Sequence, residues 1–324
     1  MRVLVTGGAG FIGSHFVEMA LTDQFSQISS VIVLDKLTYA GKLANLNKVA
    51  NNPNFEFVQG DICDIELVNS LASKVDAVIN FAAESHVDRS IENSSEFVRT
   101  NVLGTQVLLE AAKINNLKKF LQVSTDEVYG SILEGSWDEN QPLLPNSPYS
   151  ASKASADLLV RAYFVTHGLN VSITRSSNNF GPKQDPEKLI PSFILKLNKG
   201  EKVPVYGDGL NVRDWLFVED HCTGIYITLT QGAPGEIYNI GGGSELNNLS
   251  MTKELLRLAD KNETSIEFVS DRLGHDYRYS VDYSKLGKLG YKPSMNFKQN
   301  LESTYLWYLK EFTINSDKKF RRRS

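Results

Sequence analysis

Short apolar segments alternate with longer amphipathic segments along the first half of the chain. The pattern predicts strands at residues 3–5, 31–34, 55–58, 77–81 and 120–123. Several of these strands are apolar at consecutive positions, which is typical of parallel strands covered on both faces. Between them, residues 13–21 and 96–113 have the spacing of apolar positions that is expected of helices. The alternation predicts an α/β fold with a doubly wound parallel sheet.

The pattern changes after about residue 180. Loops rich in proline, glycine and asparagine occur at 181–182, 205–209 and 239–243, and a helix is predicted at 250–260. We therefore predict two regions. Residues 1–179 form the doubly wound domain, and residues 180–324 form a smaller mixed α/β region, in which segments around 210–243 can return to the main sheet.

Composition and charge exclude several classes of protein. Of the 324 residues, 41% are hydrophobic, which suits one large domain or two smaller ones. The formal net charge is -4, whereas a general nucleic-acid binder needs a basic face for phosphates. No run of about 18 apolar residues occurs, so no membrane span is expected. The chain begins directly on a strand, without the features of a signal peptide.

The cysteines and histidines indicate neither a disulfide nor a metal site. Cys63 and Cys222 are far apart and lie in no CxxC motif, which predicts reduced thiols in a cytoplasmic protein. The five histidines are scattered, so their spacing predicts no metal site. The basic segment 317–324 is predicted to be a solvated terminus.

Three glycines follow the first predicted strand in the pattern GxxGxxG. In such a turn Gly7 permits the tight bend, Gly10 lets the backbone approach a pyrophosphate, and Gly13 lets helix and strand pack closely. The helix that begins near Phe11 and Ile12 directs its first amides at the anion. Because the pattern lies between a strand and a helix, it predicts the dinucleotide site of a Rossmann domain rather than a plain glycine turn.

Residues at the ends of the next strands extend this site. Asp35 ends the second strand, where a carboxylate accepts hydrogen bonds from ribose hydroxyls and repels a 2′-phosphate. We therefore predict NAD rather than NADP as the cofactor. Asp61 and Ile62 follow the third strand, near the expected adenine, and the small residues within 81–83 would let the cofactor approach the fourth.

A second pattern predicts a base. Tyr149 and Lys153 are four residues apart, which places them on one face of a helix whose start is marked by Ser147 and Pro148. A phenol has a pKa of about 10. We expect a neighbouring ammonium and a nicotinamide cation to favour the phenolate, which would act as a base on a substrate alcohol. The alternative is an exposed pair of helical side chains.

Two adjacent acids follow Thr125 at the carboxyl end of a strand, where open α/β sheets bind ligands. If Asp126 and Glu127 both face the crevice, one can remain an ionised base while the other is held as a protonated acid. An acid and a base together are what the elimination of water requires. The alternative, a solvated acidic turn, is disfavoured because Thr125 is positioned to meet Tyr149.

Together these motifs resemble the extended short-chain dehydrogenase/reductase superfamily and, in its NAD-dependent epimerase/dehydratase family, the dTDP-glucose 4,6-dehydratases. Matching segments are GGAGFIGSH at 7–15, DKLTYAG at 35–41, FAAESHVDRSI at 81–91, STDEVYG at 124–130, PYSASKA at 148–154, RSSNNFGP at 175–182, PEKLIP at 186–191, YGDGLNVRDW at 206–215 and DRLGHDYRY at 271–279. The discriminating feature is the acid pair, because the loop of related sugar-nucleotide epimerases resembles SSA-x-VYG and lacks it.

The resemblance implies a dehydratase that converts dTDP-glucose to dTDP-4-keto-6-deoxyglucose, with tightly bound NAD regenerated in each turnover. By the same resemblance, Tyr149 removes the proton of the 4-hydroxyl, Glu127 removes the proton on carbon 5, and Asp126 protonates the departing 6-hydroxyl. Thr125 would hydrogen-bond near the 4-oxygen, and Lys153 would hold the nicotinamide ribose. The product commonly feeds deoxysugars such as rhamnose.

The resemblance also implies two sets of binding residues. The NAD site is expected to contain Gly7, Gly10, Phe11, Ile12, Gly13, Asp35, Lys36, Leu37, Thr38, Asp61, Ile62, Phe81, Ala82, Ala83, Thr100, Tyr149, Lys153 and Asn179. The sugar nucleotide is expected to contact Ser85, Thr125, Asn178, Glu187, Lys188, Leu189, Pro204, Tyr206, Arg213, Asn248, Arg272 and His275. Guanidinium groups match phosphate oxygens, so Arg213 and Arg272 are expected to hold the diphosphate. Leu273 replaces a proline that the family often has, which loosens this loop.

Members of this group usually pair through two helices per subunit. The resemblance therefore implies a homodimer through the segments 96–113 and 150–167. Two other interpretations stay open. One is an NAD-dependent epimerase or decarboxylase of another sugar nucleotide, which needs no acid–base pair for water loss. The other is a non-catalytic NAD-binding scaffold, which would be expected to have lost Tyr149, Lys153 or the acid pair.

Overall fold

The structure is a computed structural model that describes residues 1–271 and 276–321. Its strands are β1 (Arg2–Thr6), β2 (Ser30–Asp35), β3 (Phe55–Gln59), β4 (Ala77–Asn80), β5 (Lys119–Thr125), β6 (Val171–Ser176), β7 (Asn178–Phe180), β8 (Val203–Tyr206), β9 (Val212–Phe217), β10 (Ile237–Ile240), β11 (Glu245–Asn247) and β12 (Ile266–Val269). Within these ranges, seven strands form a parallel sheet in the order β10-β6-β5-β4-β1-β2-β3. Smaller sheets have the orders β11-β9-β7 and β12-β8.

The α-helices are α1 (Phe11–Ala20), α2 (Ile65–Ala72), α3 (Val87–Glu92), α4 (Ser95–Phe97), α5 (Thr105–Ile114), α6 (Pro148–His167), α7 (Leu189–Asn198), α8 (Val218–Gln231), α9 (Asn248–Leu258), α10 (Ser284–Gly287) and α11 (Phe297–Arg321). Some of them, such as α1 and α5, cover the two faces of the central sheet. In the part of the chain that the structure describes, no helix combines the length and apolar character needed to cross a bilayer.

The hydrophobic pattern of the first half predicted this architecture, and the α/β fold class is confirmed. Alternate residues of one strand enter different core clusters: Val3 and Val5 pack with Phe16 of α1, whereas Leu4 packs with Leu108 of α5. Because helices cover both faces, the strands need apolar side chains at consecutive positions. That requirement explains why the strands lack polar–apolar alternation.

A crevice forms where the strand order reverses around β1. Thr6 lies opposite Leu34 of β2 and Asn80 of β4, so the carboxyl ends of these strands are aligned. The Thr6 hydroxyl donates to Asn80 Oδ1 at 2.6 Å, and Asn80 Nδ2 donates to Gln122 Oε1 at 2.9 Å. These buried hydrogen bonds join three strands beneath the crevice, which is where open α/β sheets bind ligands.

The second half of the chain builds its own core and also returns to the main sheet. Phe193 of α7, Trp215 of β9 and Met251 of α9 belong to a core cluster separate from those of the central sheet. β10 pairs in parallel with β6 at the edge of the central sheet. The division of the chain at residues 179 and 180 stays a prediction.

The segment predicted as one helix at 96–113 is interrupted by a π-helical stretch at Val98–Gly104. Within this stretch Asn101 is buried and its Nδ2 donates to Ser152 Oγ of α6 at 2.8 Å, while its Oδ1 accepts a hydrogen bond from Glu84 N at 2.9 Å. Spacing rules assume about 3.6 residues per turn, so the apolar pattern does not reveal a change of helix type fixed by distant partners.

Candidate active site

Two adjoining cavities open at the carboxyl ends of the central strands. The first is lined by all predicted NAD residues except Leu37, and by Ser85, Thr125, Asp126 and Glu127. The second is lined by the predicted sugar-nucleotide residues Glu187, Leu189, Pro204, Tyr206, Arg213 and Asn248. Glu127, Asn178 and Lys188 border both cavities. Arg272 and His275 lie outside the described residues.

Leu37 is not among the residues that line the two cavities. Its φ is 56°, its backbone N–H donates to Asp35 Oδ1 at 2.8 Å, and its side chain packs against the core beneath α1. The left-handed backbone sends this side chain to the core, although its neighbours Lys36 and Thr38 line the first cavity. A motif match does not reveal such a local backbone reversal.

The glycine turn packs tightly against neighbouring backbone at the start of α1. Gly7 has a φ of 68°, and a Cβ added there would lie 2.7 Å from the backbone nitrogen of Ala82. A Cβ on Gly13 would lie 2.4 Å from the carbonyl oxygen of Gly7. Gly10 precedes α1 and provides no side-chain cap, and helix N-termini of this kind bind anions. The turn therefore fits the pyrophosphate of a dinucleotide.

We expect Gly13→Ala to destabilise the protein by about 1–3 kcal/mol, because the added methyl group meets backbone rather than a movable side chain. Chemical denaturation followed by circular dichroism gives the free energy of unfolding. Gly287→Ala is the matched control, since no described heavy atom lies within 4 Å of its added Cβ and alanine suits a helix better than glycine. An unchanged stability of the Gly13 variant contradicts the close approach.

Asp35 lies buried at the end of β2, beside the glycine turn. Its Oδ2 accepts a hydrogen bond from Ala9 N at 2.9 Å, and its Oδ1 accepts one from Leu37 N at 2.8 Å. Burial raises the pKa of this carboxyl group. A carboxylate has about four acceptor positions, so the two backbone donors leave it able to accept the ribose hydroxyls of a dinucleotide.

The helix that carries Tyr149 and Lys153 begins at a well-formed cap. Ser147 Oγ accepts a hydrogen bond from Ser150 N, Ser147 N donates to Ser150 Oγ, and Pro148 occupies the first helical position. Such a capping box defines the start of a helix. Tyr149 and Lys153 are both buried and both line the first cavity, as their spacing predicted.

Burial shifts the pKa of both members of this pair. Burial raises the pKa of Tyr149, the nearby Glu127 raises it further, and a hydrogen bond with Thr125 lowers it less. Burial lowers the pKa of Lys153 to about 8, and its Nζ donates to the carbonyl oxygen of Val123 at 2.7 Å. The protein groups of this chain therefore favour the phenol form of Tyr149, and the expectation that an ammonium and a nicotinamide cation together favour the phenolate stays a prediction.

The two acids occupy different environments. β5 ends at Thr125, and a short 3-10 helix follows at Asp126–Tyr129, where Thr125 Oγ1 accepts a hydrogen bond from Glu127 N at 3.3 Å. Asp126 is 2% exposed. Burial raises its pKa well above the usual value, and the charges of Glu127 and Asp214 add to this. Its Oδ2 has no hydrogen-bond partner among the described residues, and burial therefore favours the neutral, protonated form of Asp126 over the carboxylate.

In the second cavity, Arg213 is anchored by backbone. Its guanidinium nitrogens donate to the carbonyl oxygens of Val212 at 2.7 Å and Asp276 at 2.9 Å, and its carbon Cζ lies 4.4 Å from the ring centre of Tyr279. These contacts hold a fixed positive charge in the cavity wall. They also tie β9 to the chain segment that follows the predicted Arg272 and His275.

Glu187 is engaged by α3 at the rim of the second cavity. Its carboxylate forms an ion pair with Arg89, and its Oε2 lies 3.3 Å from His86 Nε2. Arg89 also lies over the ring of Tyr39, at 4.2 Å from its centre. The predicted contact of Glu187 with a sugar nucleotide therefore has to compete with protein partners that the motif does not indicate.

His221 is a lining residue of the first cavity that sequence reasoning missed. Its Nδ1 lies 2.8 Å from Asn179 Oδ1, and it is fully buried. Burial lowers the pKa of His221 to about 3, so the imidazole is neutral. Nothing in its spacing signals this position, because the partner lies 42 residues away along the chain.

Known proteins resemble this chain over nearly its whole length. Residues 4–304 match the family described as GDP-mannose 4,6 dehydratase. A dTDP-glucose 4,6-dehydratase from Actinoplanes is 54% identical, over 95% of this chain and 98% of that protein. A crystal structure of a dTDP-glucose 4,6-dehydratase from Streptomyces venezuelae, with NAD and dTDP bound, is 53% identical, covers 96% of this chain and 97% of its own, and has a TM-score of 0.94.

Enzymes of another activity share the fold at lower identity. A UDP-glucuronic acid 4-epimerase from Bacillus cereus, crystallised with UDP-glucuronic acid and NAD, covers 96% of this chain and 99% of its own with a TM-score of 0.90, at 29% identity. Backbone similarity thus does not separate dehydratases from epimerases, whereas sequence identity does. The chain belongs to the GDP-mannose 4,6-dehydratase family and, within it, is similar to the dTDP-glucose 4,6-dehydratases.

Proposed function

We propose that this chain is an enzyme that converts dTDP-glucose to dTDP-4-keto-6-deoxyglucose with loss of water, using NAD that is regenerated in each turnover. One observation carries the proposal. A neutral acid, Asp126, and a second carboxyl group, Glu127, line the same cavity as Tyr149 and Lys153. Removal of a proton and departure of a hydroxyl group require a base and an acid, and a 4-epimerase has no use for that pair.

The first cavity provides the cofactor site. The glycine turn would hold the pyrophosphate, Asp35 the ribose hydroxyls of the adenosine, and residues 81–83 would lie along the cofactor. When bound, NAD supplies a hydride acceptor and a positive charge that favours the phenolate of Tyr149. The lining of this cavity fits NAD because it combines the backbone of the glycine turn, the buried carboxyl group of Asp35 and small residues.

The residues of α6 and β5 would act first, on carbon 4 of the sugar. Tyr149 accepts the proton of the 4-hydroxyl as carbon 4 gives up its hydride and becomes a ketone. Thr125, which hydrogen-bonds to Tyr149, orients the 4-oxygen. Lys153 lines the same cavity, and its ammonium group would bind the nicotinamide ribose. The 4-ketone makes the proton on carbon 5 acidic, which prepares the elimination.

The acid pair would act second, across carbons 5 and 6. Glu127 removes the proton on carbon 5, and Asp126 gives its proton to the 6-hydroxyl, which leaves as water. The resulting double bond then takes back the hydride at carbon 6 and a proton from Glu127 at carbon 5. Asp126 suits the acid role because burial raises its pKa and so favours the protonated form.

Incubation of the purified protein with dTDP-glucose, without added NAD, tests this function. We expect a product in which carbon 6 is a methyl group and carbon 4 a ketone, detected by NMR. UDP-glucose in a parallel reaction measures the base specificity. A product that retains the 6-hydroxyl contradicts the dehydratase and supports an epimerase. Intact substrate, with reduced nicotinamide never formed, supports a non-catalytic protein.

We also propose that the chain forms a homodimer through the helical segments 96–113 and 150–167. Several large apolar side chains of these segments are exposed in the single chain: Val98 is 54% exposed, Leu103 47%, Leu158 58% and Val165 63%. Val98 and Leu103 border one shallow surface depression, and exposed apolar patches are typical of an interface. A second copy of the chain would cover this surface by pairing helices across a twofold axis.

We expect Leu158→Glu to convert the dimer to a monomer, because an unpaired carboxylate would be buried at the interface. Light scattering after size-exclusion chromatography measures the mass in solution. Leu306→Glu on α11 is the matched control, since Leu306 is 56% exposed and Leu158 is 58% exposed. A dimer that survives Leu158→Glu places the interface elsewhere.

We further propose a cytoplasmic location and a division of labour between the two regions. Cys63 and Cys222 are free thiols, which is usual in a reducing compartment. Residues 1–179 would bind mainly NAD, and residues 180–324 mainly the sugar nucleotide. The two regions meet at Asn178, which borders both cavities.

A further inference from the structure

A buried ion pair lies behind the acid–base residues. Arg175 Nε of β6 lies 2.9 Å from Asp157 Oδ2 of α6, and the two side chains are 3% and 1% exposed. The pair is imperfect, because Asp157 Oδ1 and Arg175 Nη1 have no hydrogen-bond partner among the described residues. Buried pairs with unsatisfied atoms contribute little to stability compared with apolar residues of similar volume. Stability alone therefore does not explain why this pair is here.

Arg175 also contacts the turn that carries the two acids. Its carbon Cζ lies 4.7 Å from the ring centre of Tyr129. Tyr129 ends the 3-10 helix at Asp126–Tyr129 and is 1% exposed, and its hydroxyl donates to Asn239 Oδ1 at 2.9 Å. Arg175 thus touches both the helix of Tyr149 and the turn of Asp126.

We propose that Asp157 and Arg175 are positioning residues that fix the position of the turn Asp126–Tyr129 relative to α6. Tyr149 and the acid pair can then reach adjacent carbons of one bound sugar. This inference rests on the proposed function. Oxidation and elimination use groups on two separate elements, and both groups must reach the same bound substrate. Misplacement by about 1 Å costs on the order of 100-fold in rate.

The contacts predict which of the two elements shifts when the pair is removed. α6 has anchors of its own near the cavity: Lys153 Nζ donates to Val123 O at 2.7 Å, and Tyr149 N donates to Ser90 Oγ at 3.2 Å. Neither anchor involves Arg175. The turn, in contrast, packs its terminal ring directly on the guanidinium group. Loss of the pair should therefore displace the acids more than Tyr149.

A double variant, Asp157→Leu with Arg175→Met, tests the proposal in the full-length protein. Removing both charges together avoids the large destabilisation caused by one uncompensated buried charge. Two readouts separate the steps. Absorbance of reduced nicotinamide after mixing with dTDP-glucose reports oxidation at carbon 4, and NMR of the 6-methyl group reports water loss. We expect oxidation at the wild-type rate and water loss slowed on the order of 100-fold.

Tyr129→Leu provides a second test that leaves the ion pair intact. It removes the aromatic face on which Arg175 lies, so it should slow water loss selectively as well. Tyr129→Phe is the matched variant, because it keeps that face and loses only the hydroxyl, which hydrogen-bonds to Asn239 and Arg175; it should slow water loss less than Tyr129→Leu does.

Four results are decisive. If both variants slow oxidation and water loss equally, the positioning role is overturned. It is also overturned if neither step changes. A selective loss of oxidation overturns it too, and assigns Asp157 instead to the charge of Lys153, whose pKa its carboxylate raises. Wild-type protein that forms no 6-methyl product contradicts the proposed function itself, and this outcome is seen before any variant is made.

Discussion

Tyr149→Phe is expected to slow product formation by about 100- to 10,000-fold, the usual contribution of a positioned acid–base group. The variant loses only the hydroxyl that accepts the proton of the 4-hydroxyl. Its ring keeps its place, because Tyr149 is 9% exposed and its ring packs edge to face against Phe97 at 6.4 Å between centres. Without that base the 4-ketone does not form, so neither reduced nicotinamide nor the 6-methyl group should appear.

Tyr163→Phe is a closely matched control for this variant. Tyr163 lies on the same helix and is equally buried at 9%, but its hydroxyl bonds to Glu110, away from the cavities. We expect wild-type rates from it. Retention of the bound cofactor by both variants, measured from the protein as purified, shows that the loss in Tyr149→Phe is chemical. A Tyr149 variant that still forms reduced nicotinamide would assign the first proton transfer to another group.

The sequence predicted the parts of this site that depend on local spacing. The glycine turn follows from a strand joined to a helix, and Tyr149 and Lys153 share a helical face because they are four residues apart. Asp126 and Glu127 could be placed in the crevice because the carboxyl ends of parallel strands share one edge. In each case a short segment determines which way the side chain faces.

The parts that escaped prediction depend on contacts between distant segments. Asp157 and Arg175 are 18 residues apart and lie on different elements, so no spacing rule joins them. The raised pKa of Tyr149 follows mainly from burial, and the extent of burial is not visible along the sequence. The inward turn of Leu37 arises from a φ of 56°, which a motif of residue types does not encode.

Asp126→Asn is expected to slow water loss by about 100- to 10,000-fold while oxidation at carbon 4 continues. An amide closely matches the shape of the neutral acid and can still accept the hydrogen bond that Thr125 Oγ1 donates at 3.3 Å. It has no proton to give to the departing hydroxyl. Reduced nicotinamide should therefore form on mixing with dTDP-glucose, and the 6-methyl group should be nearly absent. Glu127→Gln should give the same pattern, because the base for carbon 5 is then missing.

The pH dependence of the thermal stability of Asp126→Asn tests whether Asp126 is a buried neutral acid. Its pKa in the folded protein is raised well above the ordinary value of 3.8. Its contribution to stability is therefore complete below about pH 4 and is lost as pH rises through the folded pKa. Asparagine does not titrate, so the thermal midpoint of Asp126→Asn should rise relative to wild type as the pH increases.

Thermal unfolding at several pH values measures this difference. Asp64→Asn serves as the control, because Asp64 Oδ1 caps α2 by accepting a hydrogen bond from Leu67 N at 3.0 Å and asparagine caps helices equally well. Its rates and its thermal midpoint should follow those of the wild type. If the midpoint of Asp126→Asn instead falls relative to wild type as pH rises, Asp126 is ionised in the folded protein. The proton for the leaving 6-hydroxyl must then come from Glu127, and the roles of the two acids are exchanged.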